Sequence, residues 1–407
     1  MRERSDAKRL VSLAVTLWLT AMAVVSVRAV IQPRRHSVYP VFIGAARDWL
    51  AGHQIYIKGR VLDGSMDDFR YSPLTAVLLT PLTLVPDEVG GMIWRALNAG
   101  VLVWGMLWCC RAVFPLLLTR GQQSLLFLLV LPFALGNFNN GQANPLSLGL
   151  IMCGVAAVAE KRWNWAAACI TLACLLKIYP IAPALLLIIL YPRQLASRLV
   201  ICLGVGMIVP FCFQSRSYVC TQYASWVVGL TGDDRHARPL NLCYRDLQLL
   251  CRVWLTPISL RLYRLIEIAA GAAVGVLCLL GRRAGWPEIR LLHFVLGLAC
   301  GWMTVFGPAT EACTYLLLGP VLAYGLIEAW VTRQPHWVTG LLLASYALFM
   351  LSSIELWFPF GMVLRAHGVQ PFAGMLYLAG LLSSHFVKVK QVAETSEGHS
   401  AWFAQAA

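Results

Sequence analysis

Apolar runs of membrane-span length, separated by short polar punctuation, recur along the whole chain. The segment "SLLFLLVLPFALG" is followed by "NFNNGQANP" (137–145) and then by "LSLGLIMCGVAAVA", and the same rhythm repeats before and after it. A crossing helix needs about 20 apolar residues, fewer where flanking side chains snorkel to the interface. On that measure twelve segments are predicted to span: 10–30, 89–110, 122–136, 145–159, 163–176, 178–191, 199–213, 258–280, 289–306, 313–331, 336–353 and 371–387. The predicted fold class is an all-α polytopic membrane protein, because in lipid a helix satisfies its own backbone hydrogen bonds. The first apolar run lacks a small-residue cleavage site after it, so it is expected to be a retained span.

Two further stretches have other lengths. "VYPVFIGAARDWLAG" reads as an amphipathic helix lying at the interface, and "PLTAVLLTPLTLV" (73–85) as a short re-entrant or surface helix. Residues 1–390 are therefore expected to form a single multi-span domain, with loops at 31–88 and 214–257. The polar tail 391–407 is expected to be disordered.

Composition and charge sharpen this picture. Hydrophobic residues make up 59% of the 407 and charged ones 13%, against about 25% charged in soluble domains. The formal charge of +14 is not a nucleic-acid footprint, because Lys and Arg sit in small clusters between apolar runs. That is the positive-inside distribution. Arg2, Arg4, Lys8 and Arg9 place the N-terminus inside, and alternation then places Arg111 with Arg120, Lys161 with Arg162, Arg193 with Arg198, Arg282 with Arg283, Arg333, and Lys388 with Lys390 on the same side. Both termini are expected in the cytoplasm. The unusual polar residues fall on the opposite, extracytoplasmic face.

Thirteen Cys are scattered, mostly within apolar runs, which reads as small buried hydrophobes. Cys220 and Cys243 share one polar loop and are a candidate pair.

Four polar groupings carry candidate chemistry. The amide turn holds Asn137, Asn139, Asn140, Gln142 and Asn144; Gly141 and Pro145 suit a helix-to-helix turn, but a turn does not need five amides. Neutral amides grip hydroxyls and phosphate oxygens without fixing a charge in the membrane. Lys177 lies alone between apolar stretches, either snorkelling outward or held as a cation for a phosphate. "DDFRYSP" brings Asp67, Asp68, Arg70 and Tyr71, and "GPATEACTY" places Glu311 at the start of a span, where an acid also suits a helix N-terminus. The loop "TGDDRHARPLNLCYRDLQLL" mixes Asp233, Asp234, His236, Asn241, Arg245 and Asp246 and suits a lid or acceptor-binding element.

In order along the chain, "GAARDWLAGHQIY", "FRYSPLTAVLLTPLTLVP", "NNGQANPLSLGLIMCG" and "LLKIYPIAPALLLIIL" resemble glycosyltransferase family 87, over roughly residues 38–195. The resemblance implies a GT-C-type fold, a polyprenyl-phosphate-linked sugar donor, mannose by preference, and catalysis at the extracytoplasmic face. By position, Tyr71 and Pro73 match its aromatic-x-Pro element, Gln142 and Asn144 its amide turn, and Lys177 its basic residue. Two departures stand out. The resemblance implies an Asp, its catalytic base, near Ser37 or Val38, where "RRHSVYPVF" has no acid. Where paired His are expected late in the chain, Glu311 stands instead.

Departure of a lipid phosphate needs cations or donors rather than an acid, and the acceptor hydroxyl needs one carboxylate to take its proton. Inversion follows if that base acts on the face opposite the leaving group. Base candidates, in order, are Glu311, Asp68, Asp67 and Asp48, with His36 as a neutral alternative beside the vacated position. Candidates for binding the donor phosphate or substrate are Lys177, Arg70, Tyr71, Asn140, Gln142, Asn144 and Arg245. No cofactor or metal is expected. The expected partners are the polyprenyl-phosphate-sugar donor, a lipid or glycan acceptor and membrane lipids, in a bacterial inner membrane. A transporter or lipid flippase, or a catalytically silent polyprenyl-lipid-binding relative, are the alternatives. Transporters often carry internal repeats, and none is visible here.

Overall fold

The structure is a computed structural model, and it describes residues 2–32, 37–56, 68–232, 234–353 and 360–386. His36, Asp67, Asp233 and the tail 391–407 lie outside the described residues. Every described regular element is helical. Helix α1 is Arg2–Ile31, α2 Tyr39–Ala51, α3 Pro73–Leu79, α4 Asp87–Ala112, α5 Arg120–Asn140 and α6 Asn144–Ala159. They are followed by α7 Trp163–Leu176, α8 Ile181–Leu190, α9 Pro192–Ile208, α10 Arg216–Gly232, α11 Leu247–Trp254 and α12 Leu260–Arg283. The chain continues through α13 Glu288–Val305, a 3-10 segment Ala312–Leu318, α14 Gly319–Val331, α15 His336–Ser353, α16 Phe360–Ala366 and a last helix, α17, at 369–386.

Each of the twelve predicted segments falls on one of these helices. Among the described residues, eight helical segments are long and apolar enough to cross a membrane by length and composition, whereas α6, α7 and α8 are shorter apolar helices. A protein of this kind is a multi-pass membrane protein.

Hydrogen bonds sort the ends of these helices into two groups. At one end Val38 N–H meets Asn140 O, Ser72 N–H meets Leu175 O, Arg245 N–H meets Thr310 O, and Gln370 Nε2 meets Ala312 O. At the other, Trp108 Nε1 donates to Glu160, Arg198 Nε to Asn164, Tyr191 OH to Glu288, and Arg290 to His385 O. Short helices such as α6 therefore connect the same two ends as the long ones.

Helix α6 is the axis of the bundle. All its residues from Asn144 to Val158 are buried, and it packs against α4 and α7. The α4–α6 crossing is made at backbone distance by glycines: a Cβ on Gly105 would lie 2.6 Å from Gly149 O, and one on Gly149 would lie 2.5 Å from Val101 O. Close approach through small residues is how membrane helices gain packing where lipid offers no hydrophobic drive.

The structure adds detail to three of these readings. The amphipathic α2 forms where expected, with Pro40 in its first turn and Gly52 in the left-handed conformation closing it. Eight of its 13 residues are buried against the rest of the protein, and the Phe42 ring packs at a tilt between Tyr71 and Trp94. Cys220 and Cys243 are free thiols: Cys220 is exposed on α10, while Cys243 is buried and donates to Arg238 O. The loop expected at 214–257 contains two helices, α10 and α11. Helix α10 braces the first loop, since Trp226 Nε1 donates to Arg70 O, Gln222 Oε1 accepts from Ile55 N–H, and Tyr218 OH donates to His53 O.

Candidate active site

The amide turn is built by its neighbours. Gly141 caps α5 with φ of +65°, which L side chains rarely adopt, and a Cβ there would also press on Arg95 at 3.3 Å. Arg95, buried at 2% exposure inside α4, donates to Phe138 O, Asn139 O, Gly91 O and Ser37 Oγ. The next-door Trp94 Nε1 donates to Gly141 O at 2.8 Å, and Asn98 Oδ1 accepts from Leu146 N–H at 3.1 Å. One face of α4 thus holds the turn by its carbonyls, the groups a helix end leaves without partners.

Inside the turn the side chains form a relay. Lys177 Nζ donates to Asn144 Oδ1 at 2.6 Å, and Tyr179 OH donates to the same oxygen at 3.0 Å. Asn144 Nδ2 donates to Asn137 Oδ1 at 2.9 Å, and Asn137 Nδ2 donates to Cys313 O at 3.0 Å. The Cys313 thiol points to Glu311 Oε2 at 3.6 Å. Glu311 Oε1 then takes the guanidiniums of both Arg70 and Arg235, each at 3.4 Å. Lys177 also lies near the rings of Tyr71, 5.9 Å, and Tyr179, 5.6 Å.

Five of the predicted site residues, Glu311, Arg70, Tyr71, Asn144 and Lys177, are therefore assembled in one place. Asn144 Oδ1 accepts from both Lys177 and Tyr179, so this amide orients the Lys177 ammonium. Glu311 also closes the N-terminus of the 3-10 segment in a capping box with Thr314, so the helix-capping and site readings hold together. Gln142 is buried in the turn with its N–H returning to Asn137 O, and Asn140 O accepts from Val38 N–H. Burial raises the Tyr71 hydroxyl above its ordinary range, with the Glu311 charge adding to it, so Tyr71 stays a neutral donor.

The remaining predicted residues lie elsewhere. Asp48 sits nine residues along α2 from the turn, about 13 Å at 1.5 Å per residue, with His53 at 3.9 Å. Asp68 is half-buried, two residues before Arg70. Arg245 donates to Leu240 O and Asn241 O, which folds its own loop. Sequence reasoning singled out neither Arg95 nor Arg235. A lone cation inside the apolar run 89–110 is the signal that marks Arg95; Arg235 stands among other charges and carries no such signal.

Above Glu311 the loop from 234 to 246 is tied by a histidine. His236 Nδ1 meets Asp234 Oδ1 at 2.8 Å and Nε2 meets Asp246 Oδ2 at 2.9 Å. Burial would favour neutral imidazole, but the bonds to Asp246 and Asp234 outweigh it and raise its pKa. The His236 backbone N–H and ring in turn hold the Asp234 carboxyl below its ordinary range.

The described residues form a polytopic helical bundle with a cation-and-carboxylate cluster gathered at one end. The profile of glycosyltransferase family 87 matches residues 69–308, more than half of the chain. The chain belongs to glycosyltransferase family 87 and is a membrane glycosyltransferase. A search among curated proteins gives no match. Among solved structures it is similar to the crystal structure of ArnT from Cupriavidus metallidurans bound to undecaprenyl phosphate, at 13% identity and a TM-score of 0.39, over 90% of this chain and 76% of that one.

Proposed function

We propose that the enzyme moves a hexose, mannose by preference, from a polyprenyl-phosphate-linked donor to a lipid or glycan hydroxyl, with inversion and without a metal. Its working face is extracytoplasmic in a bacterial inner membrane, with both termini cytoplasmic and with a GT-C-type architecture. The observation that carries this reading is the continuous chain from Lys177 through Asn144, Asn137 and Cys313 to Glu311 and Arg70. It joins a fixed ammonium to a carboxylate that also meets a guanidinium, and a departing phosphate and an attacking hydroxyl call for such a set.

In this reaction the bond between the sugar's anomeric carbon and the phosphate oxygen breaks, and polyprenyl monophosphate leaves with the electron pair. Lys177 and Arg70 stabilise the charge on that phosphate. The acceptor oxygen forms the new bond to the anomeric carbon and gives its proton to Glu311. A donor phosphate entering the site competes with Glu311 for Arg70, so binding frees the carboxylate for that proton.

Sugar transfer from radiolabelled polyprenyl-phosphate-mannose, measured in membranes expressing each variant, tests the assignment. Wild type should give labelled product and Glu311→Gln should lose about a hundredfold or more, the usual worth of a positioned base. Lys177→Ala should lose about tenfold or more through one charge-assisted hydrogen bond, while Asp48→Asn should keep transfer. Full activity in Glu311→Gln with loss in Asp68→Asn would move the base to Asp68. No product from wild type with any polyprenyl-phosphate sugar would remove the enzyme reading.

A further inference from the structure

The loop between α10 and α11 does more than cover the bundle. Arg235 leaves it to reach Glu311 at 3.4 Å, and its guanidinium lies 5.7 Å from the Tyr244 ring centroid. The neighbouring His236 has each ring nitrogen on a different carboxylate, Asp234 and Asp246. A neutral imidazole carries one N–H and can satisfy one of these; the other nitrogen would turn a lone pair towards a carboxylate. Only the imidazolium donates to both. Asp246 is fully buried, and its second oxygen accepts from Leu249 N–H to start α11. The far end of the loop is pinned to the segment that bears Glu311, since Arg245 N–H meets Thr310 O and Tyr315 OH meets Arg245 O.

We propose that Arg235 is a further phosphate-gripping cation of the site, and that His236, clasped between Asp234 and Asp246, is the positioning residue that aims it. The proposal rests on the donor reading above. It assigns the loop's phosphate contact to Arg235 in place of Arg245, whose guanidinium is spent on Leu240 O and Asn241 O.

The charged surroundings of His236 set the direction of its pH dependence. Asp234 and Asp246 face its ring, and Arg252 donates to its carbonyl. From α12, Glu267 and Arg264 act on this group of charges, and the Tyr263 ring packs at 5.5 Å, with Tyr244 at 5.2 Å. The folded-state pKa of His236 is raised. The clasp is therefore complete below about 6.5, the ordinary histidine value, and is lost as pH rises through the higher folded-state value.

The test is the affinity of the full-length protein, in detergent micelles, for a polyprenyl monophosphate, read by intrinsic tryptophan fluorescence. Lys177→Ala, Arg235→Ala, Arg245→Ala, His236→Gln and Asp234→Asn are compared with wild type from about pH 5.5 to about 8.5, across the histidine range. The ligand's own second ionisation lies near pH 6, so the readout at each pH is the ratio of variant to wild-type affinity. Arg235→Ala should bind about tenfold more weakly, the worth of one charge-assisted hydrogen bond. His236→Gln should match that loss at acid pH and converge on wild type as the pH rises. Asp234 is half-exposed, so Asp234→Asn keeps the fold; it should match wild type at acid pH and fall below it at intermediate pH, because its clasp is lost at a lower pH. Wild-type affinity in Arg235→Ala, with Lys177→Ala weakened, overturns this proposal and leaves the donor reading standing. A constant ratio across pH in both His236→Gln and Asp234→Asn overturns the role of His236. Wild-type affinity in Lys177→Ala, or no binding by wild type, overturns the donor reading itself.

Discussion

At the scale of single residues, a buried guanidinium holds the amide turn in shape. Arg95 holds the carbonyls of Phe138 and Asn139 and the hydroxyl of Ser37, while Trp94 holds Gly141 O. Replacing it with Met keeps the volume but leaves buried carbonyls without donors, at about 1–3 kcal/mol for each one orphaned. Arg95→Met should therefore lower the thermal unfolding temperature in detergent and weaken transfer, and an unchanged melting curve would show that the turn holds itself. Gly141→Ala should act in the same direction by about 1–2 kcal/mol, because of its left-handed backbone and the nearby guanidinium. Lys177 was legible from sequence because a single charge between two apolar stretches must face something. Arg95 obeys the same logic, but it lies within a predicted span, where hydropathy absorbs it. The pairing of Glu311 with Arg70 and Arg235, across 241 and 76 residues, leaves no local trace at all. Only the fold brings those three together.

At the scale of elements, the α4–α6 crossing sets the geometry of the site. Arg95 and Asn98 come from α4, and Asn144 heads α6, so the distance between these helices fixes how the turn is held. A Cβ on Gly149 would meet the Val101 carbonyl, which is backbone and cannot rotate away. Gly149→Ala should cost about 1–3 kcal/mol as overpacking and should reduce transfer without touching any site side chain. A variant with lowered stability but wild-type transfer would separate the crossing from the site. The apolar periodicity made the long helices legible, and it also marked α2, where a Pro in the first turn and a closing Gly frame the run. It did not reveal that α2 is buried, because burial depends on α4 and on the aromatic contacts of Tyr71, which come from elsewhere in the chain. Nor did it mark α10: "RSYVCTQYASWVVGLTG" has neither an apolar run of span length nor a clear amphipathic face. Its role comes instead from its polar groups, through Trp226, Gln222 and Tyr218.

At the scale of the whole molecule, the charge pattern and the hydrogen bonds make independent statements about orientation. The positive-inside rule assigns a side to each connection from Lys and Arg alone. The hydrogen bonds gather several of the same connections at two ends from geometry alone. The turn after Asn140, Lys177, the 234–246 loop and Glu311 fall together at one end; Arg162, Arg198, Arg282 and Arg290 fall at the other. A misplaced span between the Lys177 and Glu311 connections would put them at opposite ends, where they could not be joined through Asn144, Asn137 and Cys313. The agreement therefore supports counting the short helices α6, α7 and α8 as crossings, although α8 alone, at 10 residues, rises only about 15 Å. On the function proposed above, the charged site at this end opens away from the cytoplasm. Cys220, exposed on α10 at that end, reports on this directly. A membrane-impermeant maleimide added to intact cells should label the wild-type chain, with the signal lost when both exposed thiols, Cys212 and Cys220, are changed to Ser. Labelling that appears only after the membrane is opened would turn the molecule over and place the site in the cytoplasm.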